Sequence, residues 1–336
     1  MYMPSKKMKF LLFTAAFLIC FFGSFLLGRY PIQPLDLLRI LFSQVFPVQH
    51  TWEPETETIL LQVRMPRIVM ACLIGAALSC AGAAFQGIFQ NPMVSPDVLG
   101  ASQGAGFGAS LAIFFSFGYL GITGSSFAFG ILTVGLVYLV SSRVKNNPVL
   151  GLVLTGIMVG SLFSSATSFI KLVADPNDVL PAITYWLMGS LSSIRQQDVS
   201  FAAVPIILGL IPIFHWRWKI NIITMGDDEA RTMGVNAQRL RIGIILCATL
   251  VTSACVSVSG MIGWVGLVIP HFARMLVGSD YRDLLPASAL LGGTYLLAVD
   301  DAARLISTSE IPLGILTAFI GAPFFVYLIV KEGKKA

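Results

Sequence analysis

Few polar residues of this 336-residue chain stand close enough together to act as a group. The three histidines, His50, His215 and His271, are far apart and lack a second ligand at helical spacing, so no metal site is expected. Cys20, Cys72, Cys80, Cys247 and Cys255 lie within apolar runs, form no Cys-x-x-Cys pair, and read as small hydrophobes. No Gly-x-x-x-x-Gly-Lys-Ser/Thr loop exists to hold nucleotide phosphates, and no nucleophile and base are set out as in an intramembrane enzyme. What remains is the run Met225-Gly-Asp-Asp-Glu-Ala-Arg-Thr-Met-Gly234, the arginines Arg64 and Arg67, and the acidic pair Asp300 and Asp301. In the run, Asp227 is placed to cap a short helix ending at Gly234, with Asp228 and Glu229 in the first turn where the helix dipole favours negative charge. Such a helix is either a rigid plug for a partner or a solvated connector. An exposed arginine fork either meets a partner's carboxylate bidentately or anchors a helix end at lipid headgroups. Asp300 and Asp301 are the acids an ion-coupled secondary transporter would use, but they fall toward one end of their predicted span.

The elements that must position these groups are written for lipid. From Val98 to Ser142 there is no charged side chain, a run well beyond the roughly 20 apolar residues that cross a bilayer. Hydrophobic residues make up 56% of the chain and charged ones 12%, against about 25% charged in soluble domains. The expected fold is all-α and polytopic, with about ten transmembrane helices in a single domain over residues 1–336. The predicted spans are Phe10–Gly28, Ile68–Phe89, Val98–Phe117, Phe127–Val140, Val149–Ile170, Val199–Trp216, Ile242–Ser259, Met261–Val277, Leu284–Val299 and Ile311–Val330. The first lacks a convincing small-residue cleavage site and is read as a retained helix. Loops holding Lys6, Lys7, Lys9, Arg143, Lys145, Arg217, Lys219, Arg231, Arg239, Arg241, Arg274, Arg282, Lys331, Lys334 and Lys335 mark the cytoplasmic face, with both termini on it. The net charge of +5 is thereby spent on orientation, and nucleic acid is not an expected partner. Trp52 and Trp186 read as an outer aromatic belt.

Small residues recur at four-residue intervals in Gly75–Gly87 and Gly100–Gly108, which predicts close helix packing, a subunit interface or the wall of a substrate path. Between them, Gln90-Asn-Pro-Met-Val-Ser-Pro-Asp97 must break the chain, and Pro270 should kink or end its helix. Gly82, Pro92 and Gly100 repeat the spacing of Gly260, Pro270 and Gly278, a possible echo of the inverted repeats that build transport folds.

Glu229-Ala-x-x-x-Gly234 resembles the coupling-helix signature of ABC importer permeases. Arg64-Met-Pro-Arg67, Gly75-Ala-Ala-Leu-Ser-x-Ala-Gly82, Gln90-Asn-Pro92, Leu99-Gly-Ala-Ser-x-Gly104, Trp186-Leu-Met-Gly189, Gly263-x-x-Gly-Leu-Val-Ile-Pro-His271, Leu284-Leu-Pro286 and Ile311-Pro-Leu-Gly314 together resemble the FecCD family. That resemblance covers nearly the whole chain after the first helix. It implies a type II importer fold and a permease without enzymatic activity or cofactor. It also implies a second permease subunit in a homodimer or heterodimer, two ABC ATPase subunits, an extracytoplasmic substrate-binding protein and membrane lipid as partners. It places ATPase coupling on Asp227, Asp228, Glu229, Ala230, Arg231 and Gly234 within a loop at about 217–241. Binding-protein docking falls on Arg64, Arg67 and Arg304, and an inner gate on Asn147, Pro148, Val149 and Leu150. The small hydroxyl residues that cobalamin-importing relatives carry at the gate are absent here. The expected cargo is a metal chelate, foremost a ferric siderophore, with haem, cobalamin or molybdate as further cargoes of the family.

Overall fold

The computed structural model describes residues 5–47, 49–144, 148–307 and 309–333. Among them run fifteen α-helices: α1 Lys6–Leu26, α2 Pro34–Ser43, α3 Pro54–Thr58, α4 Met65–Ile88, α5 Ala101–Phe114, α6 Tyr119–Ser141, α7 Pro148–Val173 and α8 Val179–Leu187. Then follow α9 Gln196–His215, α10 Arg217–Ile223, α11 Asp227–Thr232, α12 Ala237–Ser259, α13 Val265–Val277, α14 Tyr281–Ile306 and α15 Leu313–Gly333. Six helical stretches are long and apolar enough to cross a membrane: Lys6–Leu26, Pro54–Ile88, Tyr119–Ser141, Val149–Val173, Gln196–His215 and Ala237–Ser259.

Each of the ten predicted spans finds a helix, though six stretches among the described residues meet the criterion of length and apolar composition. α5 has 14 residues and α13 has 13, so at 1.5 Å per residue each rises only about 20 Å, short of the ~30 Å hydrocarbon core. α5 is buried among other helices over most of its length and α13 along one face, and a helix that lipid does not fully bathe need not match its thickness. Four short helices, α2, α3, α8 and α10, fall in stretches read as loops. Trp52 is correspondingly not a belt residue: it is buried, and its Nε1 donates to Glu57 at 2.9 Å.

α4 is the central element, buried on all sides along most of its length. Its sequence explains why two neighbours come so close. A Cβ on Gly75 would stand 2.2 Å from the carbonyl oxygen of Gly292 on α14, and one on Gly82 would stand 1.8 Å from that of Gly266 on α13. Of the three readings of the Gly75–Gly87 stripe, internal packing is the one observed. Pro270 sits inside α13 without ending it. Having no N–H, it leaves the Gly266 carbonyl without its helical donor, and that oxygen packs on the Cα of Gly82 instead. At the other end, a π-helical stretch, Ile59–Arg64, runs into Met65–Pro66, the widened turn absorbing the proline within one continuous helix.

The break between α4 and α5 is as expected: a turn, a 3₁₀ stretch Pro96–Leu99, and Gly100 at φ 79° before α5. The proposed sequence echo has no structural counterpart. Gly82 lies mid-helix while Gly260 ends α12 at φ 67°, and Pro92 is in a loop while Pro270 is in a helix.

Candidate functional site

Two polar constructions lie at opposite ends of the bundle. The first is α11. Gly226, at φ 137°, occupies the position before the helix, so Asp227 is its first residue and not its cap. The φ of 137° at Gly226 lies in the region that L side chains rarely adopt, which is why glycine suits this position. Asp228, Glu229 and Arg231 face solvent, Ala230 is fully buried, and Gly234 at φ 76° turns the chain away with open space around it. α11 is thus a short, exposed acidic helix seated by one methyl group and the buried Val235 behind it. A cleft of about 430 Å³ runs between it and the start of α12, lined by Asp227, Asp228, Arg231 and Gln238 among others.

What fixes α11 to the bundle was not visible in the motif. Arg241, buried on α12, donates to Asp227 Oδ1 at 2.9 Å and through Nε to the Ile88 carbonyl at 3.1 Å, the last turn of α4. α10 is tied to α14 in turn: Asn221 Nδ2 donates to Asp280 Oδ1 at 2.7 Å, and the Tyr281 amide donates to Asn221 Oδ1 at 2.8 Å. The Arg282 amide and the Asn221 side chain both donate to Asp280 and hold its carboxyl below the ordinary 3.8. A load on α11 therefore reaches α4, α12 and α14 through short polar links. The signal for Arg241 was present in sequence only as one more basic residue of a cytoplasmic loop.

The second construction gathers the three arginines expected to dock a partner, and the premise of an exposed fork is corrected. Arg64, Arg67 and Arg304 are 5%, 6% and 7% exposed. Arg64 donates to the Phe25 carbonyl at 2.5 Å and to that of Tyr30, satisfying acceptors at the C-terminal end of α1. Arg67 binds Asp300 at 2.8 to 3.0 Å and Glu310 at 3.0 Å. Arg304 pairs with Asp301, lies 3.2 Å from Asp300, and donates to Ser24 Oγ at 2.8 Å. Three guanidiniums face three carboxylates, so the cluster is neutral as a whole, the condition under which buried charge is tolerated. Asp300 and Asp301, considered above as coupling acids, are consumed by these pairs. Of the predicted gate, Asn147 lies outside the described residues; Pro148 begins α7, Val149 is half-buried and Leu150 exposed. No grouping of His, Cys, Asp and Glu fit for a metal occurs among the described residues.

Where α12 ends lies a third feature that the motifs did not foretell. α8, nine residues long, is too short to cross and stops at Gly189, φ 75°. There the Ser190 amide donates to the Ser259 carbonyl at 2.8 Å, and the amides of Leu313 and Gly314 donate to the carbonyls of Gly189 and Met188 at 2.8 and 3.1 Å. Three interrupted ends, those of α8, α12 and α15, thus satisfy one another's backbone. Beside them Trp264 holds the uncommon φ of 70°. An open cleft of about 690 Å³ adjoins this junction, lined by Leu187, Met188, Met261, Trp264, Ile315 and Phe319 among others, with no charged side chain. The Trp186 carbonyl also meets the close approach of Gly260.

A nearly all-helical chain with several apolar membrane-length helices is the architecture of a multi-pass membrane protein. The sequence matches the FecCD transport family over residues 16–331, and the chain belongs to that family, the permeases of ABC importers. It is 39% identical over 305 residues to the molybdate import permease MolB of Haemophilus influenzae, covering 91% of this chain and 90% of that one. It is also 39% identical, over 277 residues, to a probable iron chelatin permease of Helicobacter pylori, covering 81% and 82%. Its fold is similar, at a TM-score of 0.86 and 37% identity, to a chain of a structure described as a metal-chelate type ABC transporter facing inward, with 96% and 98% of the two chains covered.

Proposed function

We propose that this chain, as one permease domain paired with a second copy, carries a metal chelate, foremost a ferric siderophore, across the cytoplasmic membrane. The observation that carries the choice of cargo is the cleft beside α8. Its volume of about 690 Å³ falls in the range of small-molecule sites, roughly 300–1,000 Å³. Its lining is apolar, and irregular backbone at membrane depth is tolerated where it is buried or lines a path. A bulky chelate with a greasy periphery suits such a wall. A second reading, molybdate, is favoured by the likeness to MolB. A bare oxyanion, however, wants donors, and this lining offers no charged ones.

Separate ATPases engage Asp227 to Gly234 from the cytoplasm, the face that the basic loops mark, so both termini lie there. Arg241 passes their movement to α4. The inner gate is assigned to the start of α7, where Leu150 is exposed. A binding protein docks at the opposite end, where Arg64, Arg67 and Arg304 shape the surface from beneath by holding the ends of α1, α4 and α14 together. The test is uptake into vesicles holding the chain with its ATPase and binding protein. Ferric hydroxamate should be taken up with ATP, and Phe319→Arg, which puts a charge into the cleft, should abolish it. Molybdate uptake unaffected by Phe319→Arg would transfer the assignment to the oxyanion. Uptake driven by an ion gradient without ATP would overturn the importer reading altogether.

A further inference from the structure

α6 and α12 touch closely at one level and leave a groove below it. A Cβ on Gly130 would stand 2.6 Å from Ser253 Oγ. Toward the end of the bundle that carries Arg143 and Arg239, Ile131, Val134, Gly135 and Tyr138 on α6 face Ile242, Leu246 and Leu250 on α12 across a partly open apolar groove of about 310 Å³. Residues 242–250 rise about 12 Å, most of the ~15 Å that one leaflet contributes to the hydrocarbon core. The groove is therefore the shape of an acyl chain, and Tyr138, partly exposed near its lower end, has the amphipathic ring that sits at headgroup depth.

Two basic residues flank the lining of this groove along the two helices. Arg239 lies one turn before Ile242 on the same helical stripe, and Arg143 follows the end of α6 by two residues. Both are exposed, and neither side chain has an ion pair or hydrogen bond among the described residues. This contrasts with Arg64, Arg67, Arg241 and Arg304, whose guanidiniums are all engaged. We infer that the α6–α12 groove is a binding site for one anionic glycerophospholipid, its acyl chain lying between Gly135 and Leu246 and its phosphate held by Arg143 and Arg239. The inference goes beyond the transport reading and needs only that the chain sits in a bilayer. Because only residues 233–236 separate the end of α11 from the start of α12 at Ala237, two residues before Arg239, the bound lipid also braces the root of the coupling helix.

Gly135 supplies a clean probe, since a Cβ there meets nothing within 4 Å. Gly135→Leu fills the groove from within while displacing no protein atom at its first carbon. Full-length protein is titrated with phosphatidylglycerol and with phosphatidylcholine in detergent and read by native mass spectrometry. A phosphatidylglycerol with a photoreactive tail is then cross-linked and the modified peptides mapped. Wild type should hold one phosphatidylglycerol in preference to phosphatidylcholine and cross-link within 131–138 and 242–250. Arg143→Ala and Arg239→Ala should each cut that preference roughly fivefold, the equivalent of about 1 kcal/mol per basic residue at an anionic surface. Gly135→Leu, with an unaltered melting midpoint, should lose both lipids. Equal retention of the two lipids by wild type, undiminished binding by Gly135→Leu, or cross-links elsewhere on the chain would each overturn the site. So would occupation of the groove by a copurifying protein helix, detected as a protein cross-link from Leu246.

Discussion

Arg67 is the residue on which the account of the arginine cluster can be broken. Its guanidinium makes bonds of 2.8 to 3.0 Å with Asp300, whose side chain has no exposure, and 3.0 Å with Glu310. Removing one partner of a buried pair typically costs about 3–5 kcal/mol, because the other charge is left in a medium of low polarity. Here the loss should lie near the bottom of that range, about 3 kcal/mol, since Asp300 keeps Arg304 at 3.2 Å. Arg67→Ala should therefore lower the melting midpoint of the purified chain by several degrees and weaken binding-protein docking in parallel. The paired change Arg67→Met with Asp300→Leu should recover part of the lost stability, because neither charge is then orphaned. Glu310→Gln, on the exposed edge, should leave the midpoint nearly unchanged. The measurements are thermal unfolding in detergent and docking affinity by surface-immobilised permease. Should Arg67→Ala reduce docking tenfold or more at an unchanged midpoint, the guanidinium is a direct contact and the reasoning from its burial fails.

Gly234→Pro or Glu229→Lys should abolish ATP-driven uptake while membrane insertion and docking persist, and Arg241→Ala should lower coupling efficiency, uptake per ATP hydrolysed, more than it lowers ATPase binding. Gly82→Val, which places its Cβ 1.8 Å from the Gly266 oxygen, should destabilise by about 3 kcal/mol or more, read as loss of folded protein on extraction. The chain purified alone should hydrolyse no ATP. Asp280, whose folded carboxyl titrates below its ordinary 3.8, contributes stability above that value and loses it as pH falls through the lower folded value. Asp280→Ala should therefore flatten the acid limb of a stability profile below about pH 4, and cost about 1 kcal/mol near neutrality as a lost helix cap.

Helix class and rough span positions were legible because charge-free runs and flanking lysines and arginines report burial in lipid one residue at a time. α11 was legible because its glycines and first-turn acids sit within ten residues. The arginine cluster was legible in membership and misleading in exposure: Arg67 and Asp300 are separated by more than 230 positions, and only the packing of α4 against α14 reveals that one neutralises the other. α8 was missed because an apolar nine-residue stretch between polar turns carries no period distinguishing it from a loop. Arg241 was hidden for a related reason, since a residue that bonds α4 and α11 at once looks, in sequence, like any other positive charge at a membrane face.

The contacts of Gly75 with Gly292 and of Gly82 with Gly266 also decide which parts of this machine can run. Side chains that interdigitate can change rotamer and let helices slide, but main chain pressed against main chain has no such gear. α4, α13 and α14 should consequently move as one rigid block. Any cycle that opens the bundle first to one side and then to the other must be taken up by the remaining helices turning about it, and the junction of α8, α12 and α15, built from hydrogen bonds between loose ends, is the natural bearing.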